Sequence, residues 1–182
     1  LDAMRTNIEA LTTKNNDAVF ETAARLIYES KRKFVIGLRG SSSLAASFSL
    51  RLSYLLDDIY RITRADPNDY GCIYTIREGD CLVAYGFDNY PQLAVDAVRH
   101  AKQKGASVIS ITDKETSPIA FRTDTAVYCS INGVGFNSFA CVMLANEIIA
   151  AHLVRMVGKN METRNKELLS QLSETGYFWN GL

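Results

Sequence analysis

The stretch Phe34-Val35-Ile36-Gly37-Leu38-Arg39-Gly40-Ser41-Ser42-Ser43-Leu44-Ala45-Ala46 joins a short apolar run to two glycines, three serines and a helix-forming segment. This order predicts a buried strand, a tight turn and the start of a helix. Free backbone N–H groups and the positive end of the helix dipole favour an anion at such a position. We therefore expect an anion site rather than a serine N-cap alone, formed by Arg39, Gly40, Ser41, Ser42 and Ser43.

Other apolar stretches predict further strands, and helical patterns lie between them. The predicted strands are 34–37, 59–63, 81–85, 107–111 and 125–129. Because strands that alternate with helices are joined by right-handed crossovers, we expect an α/β fold with a three-layer, doubly wound, five-stranded parallel sheet. In the flavodoxin-like strand order 2-1-3-4-5, a ligand lies between strands one and three. The loops that leave these strands span residues 38–43 and 86–91.

Several helices are predicted from apolar periodicity, among them helices near residues 69–77 and 136–157. The second of these is apolar nearly all round, which predicts a buried helix. Asn137 and Ser138 are expected to open it, either as caps or as ligand contacts. This apolar helix, together with the aromatic segment 177–179, predicts a symmetric dimer or a tetramer.

The first residues of the chain predict the end of a linker helix. Leu1, Met4, Ile8 and Leu11 form one apolar stripe, and no capping residue precedes it. We therefore expect residues 1–15 to pack on this domain and to continue upstream, and residues 16–182 to form a single domain. The expected upstream part is a helix-turn-helix domain.

Composition narrows the class of protein. The chain has 182 residues, of which 47% are hydrophobic, and its 20 basic residues balance its 20 acidic ones. Without a basic field, this chain is not expected to bind DNA by itself. Its four cysteines have no paired spacing, so we expect a reduced cytoplasmic protein with no metal, disulfide or cofactor. No apolar run is expected to span a membrane, and no signal peptide is visible.

Longer motifs give the chain a family resemblance. It resembles a sugar isomerase (SIS) domain, most closely that of the RpiR/MurR family of bacterial transcription regulators. The residues that carry this resemblance are Val35-Ile36-Gly37-Leu38-Arg39-Gly40-Ser41-Ser42-Ser43, Gly79-Asp80-Cys81-Leu82-Val83-Ala84-Tyr85, Ala101-Lys102-Gln103-Lys104-Gly105-Ala106, Val108-Ile109-Ser110-Ile111-Thr112-Asp113 and Ser117-Pro118-Ile119-Ala120. The resemblance implies a phosphorylated sugar ligand with its phosphate on the loop serines, and a dimer whose site is completed near the subunit interface.

The loop after the third strand departs from the pattern of that family. Many SIS domains have a Ser-x-Ser-Gly-Glu-Thr type loop there, whereas this chain has Phe87, Asp88 and Asn89 after Gly86. A carboxylate beside a phosphate repels it, so either the phosphate cradle is rearranged or the ligand is not a phosphomonoester. We expect Gly86, Phe87, Asp88, Asn89 and Ser138 to complete the ligand site. For Arg39, an ion pair with Asp88 is the alternative to ligand binding.

Three functions compete at this point. The first is the effector-sensing domain of a transcription regulator, which binds a sugar phosphate or a related metabolite and has no catalytic residues. The second is a phosphosugar isomerase, which needs a base of the Glu or His type. Glu147 and His152 are expected to be satisfied polar groups, and Glu78 and His100 to lie on the surface, so no such base is evident. The third is a SIS dimerisation module without a ligand.

Overall fold

The computed structural model describes residues 2–158 and 160–177. Five strands form one parallel sheet in the order β2-β1-β3-β4-β5, which confirms the predicted flavodoxin-like fold. The strands are β1 (Lys33–Gly37), β2 (Ile59–Ile62), β3 (Cys81–Gly86), β4 (Ser107–Thr112) and β5 (Thr125–Tyr128). The helices are α1 (Asp2–Lys14), α2 (Asp17–Glu29), α3 (Ser42–Ser53), α4 (Pro67–Tyr70), α5 (Gln92–Gln103), α6 (Ala140–Val157) and α7 (Asn160–Glu174).

The two faces of the sheet are buried in separate cores. One core joins side chains such as Val35 and Val83 to α2, α3 and α6. The other joins Ile36 and Ala84 to α4, α5 and the turn that contains Ile119. Because both faces are covered, β1 and β3 are fully buried, and their carboxyl ends emerge side by side, with Gly37 paired to Tyr85. The edge between β1 and β3 is therefore where loops can form a site.

Two predicted helices have different bounds in the structure. The segment predicted as one helix near 69–77 is the short helix α4 followed by a 3₁₀ helix over Gly71–Thr75. The helix predicted at 136–157 begins at Ala140 instead, so neither Asn137 nor Ser138 caps it. Gly133 explains the late start, because a Cβ there would lie 2.2 Å from the carbonyl oxygen of Phe136. The chain thus makes a tight loop before α6.

The expectation that no segment has the length and apolarity of a membrane span is wrong for α6. Over the described residues this helix alone, Ala140–Val157, meets both conditions, with a mean hydropathy of 1.6. The helix is apolar because it contributes to the core of the fold. It is 44% buried and packs against α2 and α3. The helix is not buried all round either, because Leu144 and Val154 are exposed.

Helix α1 buries Leu11 of the predicted apolar stripe but leaves Met4 and Ile8 exposed. Met4 and Ile8 are 47% and 43% exposed, whereas Asn7 and Leu11 are buried against the neighbouring helix α6. Asn7 is tolerated there because its Nδ2 donates to the carbonyl oxygen of Asn132 at 2.8 Å. Asn15 ends the helix in a similar way, since its side chain both donates to and accepts from the backbone of Tyr128. Leu1, Phe178 and Trp179 lie outside the described residues.

Candidate functional site

The serine loop, residues 38–43, turns sharply because of Gly37. A Cβ on Gly37 would lie 2.3 Å from the carbonyl oxygen of Ser41 and 2.8 Å from Cβ of Ala45. Only glycine lets the end of β1 approach the start of α3 this closely. Arg39 then adopts φ 56°, in the left-handed region, and begins a single 3₁₀ turn over Arg39–Ser41. The turn places Ser41 directly before α3.

The three serines of the loop have different surroundings. Ser41 is 7% exposed and occupies the N-cap position of α3, yet its side chain makes no capping hydrogen bond. Ser42 is half-buried, while Ser43 is exposed and its Oγ donates to the carbonyl oxygen of Gly40 at 3.4 Å. The hydroxyl of Ser41 is therefore not used as a helix cap, which was the alternative role for a serine here.

The second loop, residues 86–91, follows β3 and lies opposite the serine loop. Phe87 is buried, Asp88 and Asn89 are exposed, and Asn89 adopts φ 64°. Asn tolerates this left-handed conformation better than most residues. Pro91 ends the loop at the N-cap of α5. Both loops at this edge thus contain a non-glycine residue with positive φ, a backbone strain that is commonly found at functional sites.

A third wall comes from the loop before α6. The ring of Phe139 packs against the ring of Phe87, with 5.5 Å between their centroids. A Cβ on Gly40 would lie 3.4 Å from the same Phe139 ring, so the serine loop also rests on this side chain. Phe139 therefore joins the serine loop, the second loop and α6.

These walls border an open cavity of about 180 Å³ that we call the serine-loop cavity. It is lined by Arg39, Gly40, Ser41, Phe87, Asp88, Asn89, Pro91, Asn137 and Phe139. Six of these are residues that the sequence predicts as ligand contacts, and the structure brings them together. Four other predicted contacts do not line the cavity: Ser42, Ser43, Gly86 and Ser138. Gly86 is buried behind it, and the backbone N–H of Ser138 donates to the carbonyl oxygen of Ile131.

Asp88 forms an ion pair, but its partner is not Arg39, the residue that the sequence suggested as an alternative. Asp88 pairs with Lys114, with 3.5 Å between Oδ1 and Nζ, and both side chains are largely exposed. Within residues 2–158 and 160–177, no ion-pair partner of Arg39 is found, so the predicted Arg39–Asp88 pair is not formed. The guanidinium of Arg39 is therefore available to an anion, and Lys114 partly offsets the carboxylate that would repel one.

A hydrogen-bond network fixes the second loop from behind. Tyr90 donates to Oδ1 of Asp113 at 2.6 Å, and Thr112 donates to the carbonyl oxygen of Gly86, also at 2.6 Å. The hydroxyls of Thr112 and Ser117 are 2.8 Å apart. Burial, together with the hydrogen bond to Asp113, raises the pKa of Tyr90 to about 12, so Tyr90 remains a donor at neutral pH. The Thr-Asp and Ser-Pro motifs thus hold the second loop in place.

The glutamates and histidines that the sequence offers as possible catalytic bases lie away from the serine-loop cavity. Nε2 of His152 is 3.0 Å from Oδ1 of Asp17, and Glu147 pairs with Arg51 on α3. His100 stacks edge-on against Tyr74, on the face of the sheet covered by α5. Glu78 is exposed beside Gly79. Neither histidine and neither of these glutamates is among the residues that line the serine-loop cavity.

Three lining residues were not among the predicted contacts: Asn137, which was expected either as a cap or as a ligand contact, Pro91 and Phe139. Pro91 was expected only as the start of a helix, and Phe139 was placed inside the predicted helix 136–157. The glycines at 133 and 135 are the sequence signal for a loop in that place. Phe136 was assigned to the helix because it begins a long apolar run. In the structure it is 86% exposed.

Comparison with known proteins agrees with this description. A family model described as SIS domain matches residues 26–154. An uncharacterized protein of Aeropyrum pernix is 31% identical over 102 residues, which span 56% of this chain and 45% of that protein. The chain therefore corresponds to less than half the length of that relative.

Solved structures of both regulators and enzymes share the fold. The sugar isomerase domain of an RpiR transcription factor from Sphaerobacter thermophilus superposes with a TM-score of 0.85, at 18% identity, over 90% of this chain and 92% of that one. The NanR protein of Vibrio vulnificus, complexed with ManNAc-6P, gives 0.81 at 13% identity, over 96% and 67%. A phosphoheptose isomerase from Neisseria gonorrhoeae gives 0.60 at 18% identity, over 84% and 92%.

Proposed function

Since the chain belongs to the SIS domain family, we propose that it is the effector-sensing domain of a cytoplasmic transcription regulator and that it binds a phosphorylated sugar in the serine-loop cavity. The observation that carries this proposal is the position of Arg39 and Ser41, which line one cavity at the switch point of the sheet. The NanR protein that shares the fold is complexed with ManNAc-6P, a sugar phosphate, which supports the ligand class.

The phosphate is expected to lie between the serine loop and the second loop. Its oxygens accept from the hydroxyl of Ser41 and from the guanidinium of Arg39, which can donate two parallel hydrogen bonds. The start of α3 adds the positive end of a helix dipole. Each hydrogen bond to a charged oxygen contributes about 1.5–3 kcal/mol to binding. The sugar ring then lies towards Asn137 and Asn89, whose amides can bond to its hydroxyls.

A phosphosugar isomerase is the second candidate, and Asp88 is the observation that favours it. Aldose–ketose isomerisation moves a proton between adjacent carbons and therefore needs a base beside the sugar. Of the described residues, Asp88 is the one carboxylate among those that line the cavity. It is largely exposed, and its Oδ1 is already paired with Nζ of Lys114. The arrangement therefore supports binding better than turnover.

The proposed regulator acts on DNA through a helix-turn-helix domain upstream of α1, and it forms a dimer or a tetramer. The loop before α6 offers a path from ligand to α1, because its residues Asn137 and Phe139 line the cavity and Asn132 accepts from Asn7. The exposed apolar side chains of Met4, Ile8, Val134 and Phe136 lie on these same two segments and support self-association. Light scattering of the purified chain measures the oligomeric state.

The experiment that tests this function combines binding and turnover. A panel of aldose and ketose phosphates is titrated while the melting temperature is recorded, and each binder is then incubated with the protein and followed by NMR. We expect at least one sugar phosphate to raise the melting temperature and to remain chemically unchanged. Conversion between aldose and ketose would establish the isomerase instead, and no shift across the panel would favour the ligand-free dimerisation module.

A further inference from the structure

A second cavity, of about 370 Å³, adjoins the serine-loop cavity. Arg39 and Pro91 line both cavities. The remaining lining residues follow β1 and β2 or begin α5, so this cavity lies at the same carboxyl edge of the sheet; they are Leu38, Thr63, Arg64, Ala65, Gln92 and Leu93. The serine-loop cavity alone is smaller than the roughly 300–1,000 Å³ of ordinary small-molecule sites, and the adjoining cavity supplies the volume that it lacks.

Apart from Arg39, the side chains with hydrogen-bond donors that line the second cavity are each paired with a carboxylate. These pairs, at 3.0, 3.2 and 3.0 Å, are Arg64 Nε with Asp66, the Thr63 hydroxyl with Asp69, and Gln92 Nε2 with Asp96. Although burial opposes it, donation by two backbone N–H groups keeps the pKa of Asp69 below its usual value, so this carboxylate is ionised at neutral pH. Nε of Arg64 lies 3.0 Å from Asp66 and 3.9 Å from Asp69, so these carboxylates offset its charge and it offers a second anionic group little net attraction.

The rest of the lining is apolar. Leu38, Ala65, Pro91 and Leu93 come from three different segments and face the same cavity. Leu38 is almost fully buried, and Ala65 is exposed at the opening. Such a lining favours an uncharged group with several carbon atoms, because each buried methylene contributes to binding through the hydrophobic effect.

Arg39 lines both cavities, so a single ligand that fills both would contact it on two sides. Its backbone has a φ of 56°. A guanidinium in this place can hold a phosphate on the Ser41 side while its apolar stem contacts a substituent on the Leu93 side. One residue thus contributes to both cavities.

We infer that a single ligand occupies both cavities, with its phosphate beside Ser41 and Arg39 and an uncharged, largely apolar substituent in the second cavity. This inference rests on the proposed function and narrows its ligand class to monophosphorylated sugars that carry a substituent such as an acyl chain. It also assigns selectivity between sugar phosphates to Ala65 and Leu93, which contact the substituent and lie outside the phosphate site.

The test compares ligands that differ only in chain length. Glucose 6-phosphate and the N-acetyl and N-butyryl derivatives of glucosamine and mannosamine 6-phosphates are titrated by calorimetry. We expect the better N-butyryl ligand to bind about tenfold tighter than its N-acetyl counterpart, because two more methylenes are buried. In Ala65→Trp, whose side chain fills the cavity mouth, this difference should disappear while glucose 6-phosphate binds as before.

Two further variants keep the result decisive. Ala18→Trp, at an exposed position on α2, is the matched control and should leave every affinity unchanged. Leu93→Ala enlarges the second cavity and should shift the preference towards still longer acyl chains. If glucose 6-phosphate binds but chain length has no effect, the two-cavity inference is overturned and the proposed function stands. If none of these ligands and none of the aldose and ketose phosphates in the panel above binds, both are overturned.

Discussion

Nζ of Lys114 lies 3.5 Å from Oδ1 of Asp88, so the one carboxylate among the described residues that line the serine-loop cavity has a cationic partner. The sequence suggested that Asp88 would repel a phosphate. The structure offers a way to reduce that repulsion, because Lys114 follows β4 and reaches the second loop from the neighbouring strand. Both side chains are largely exposed, so the effect of the pair on ligand affinity is modest and depends on salt.

Asp88→Asn is therefore expected to strengthen the binding of a sugar phosphate. Removal of a like charge at this range is worth about 1 kcal/mol or less in a solvent-exposed site, which corresponds to at most about fivefold in affinity. Calorimetric titrations at low and high salt measure the effect, and the gain should fade as salt rises. Lys114→Met serves as the opposite variant and should weaken binding. An Asp88→Asn protein that binds more weakly would show that the carboxylate contacts the sugar.

The stabilities of two Arg39 variants should show the cost of the left-handed backbone conformation at this position. Arg39→Gly and Arg39→Ala both remove the guanidinium, so each should weaken phosphate binding to the same degree. Glycine adopts φ 56° without a steric penalty, whereas alanine does not, so the glycine variant should be about 1 kcal/mol more stable than the alanine variant. Urea denaturation of the two proteins measures this difference. Equal stabilities would mean that the loop relaxes when the side chain is removed.

Gly37→Ala is expected to destabilise the fold, because its new Cβ would lie within 2.3 Å of the backbone of Ser41. The serine loop must then shift, at a cost of about 1–3 kcal/mol. Gly71→Ala is the matched control, since a Cβ there meets nothing within 4 Å and the residue has φ −57°. That change should be neutral or stabilise by about 0.4–1 kcal/mol. A Gly37→Ala protein with the stability of the wild type would contradict the described turn.

Ligand binding should also change the protection of α1. Asn137 and Phe139 line the cavity, and the loop that contains them bonds to Asn7 through Asn132. Hydrogen exchange followed by mass spectrometry should show slower exchange in α1 when the sugar phosphate is bound. Asn7→Ala removes the connecting hydrogen bond and should reduce this change without affecting ligand affinity more than about twofold. Unchanged exchange in α1 of the wild type would leave the regulator without this route to its DNA-binding part.

The sequence predicted the sheet well because each strand is a separate apolar run with a turn beside it. The crossover rule predicted a doubly wound parallel sheet, and the flavodoxin-like strand order put the serine loop at the switch point. Boundaries that depend on distant contacts were not predicted. The start of α6 is one such boundary. Phe136 and Phe139 belong to the same apolar run in the sequence, but Phe136 is exposed in the loop and Phe139 packs under Gly40.

Helix α1 shows a second limit of sequence patterns. Its apolar stripe predicted that Met4 and Ile8 would face the domain, but Asn7 occupies the buried face instead. A buried Asn is acceptable only when it has hydrogen-bond partners, and here the partner is a backbone carbonyl far away in the chain. Nothing in the residues around Asn7 signals that contact. The same applies to Lys114, whose position beside Asp88 depends on the register of β3 and β4.

The most direct test of the account is the affinity of Ser41→Ala and Ser43→Ala for a sugar phosphate that binds the wild type, measured by calorimetry. Ser41 lines the cavity and makes no capping bond, whereas Ser43 is exposed, bonded to Gly40 and not among the lining residues. We predict that Ser41→Ala weakens binding by about 10- to 150-fold and that Ser43→Ala changes it by less than about twofold. Equal affinities for the two variants would contradict a phosphate site on the serine loop.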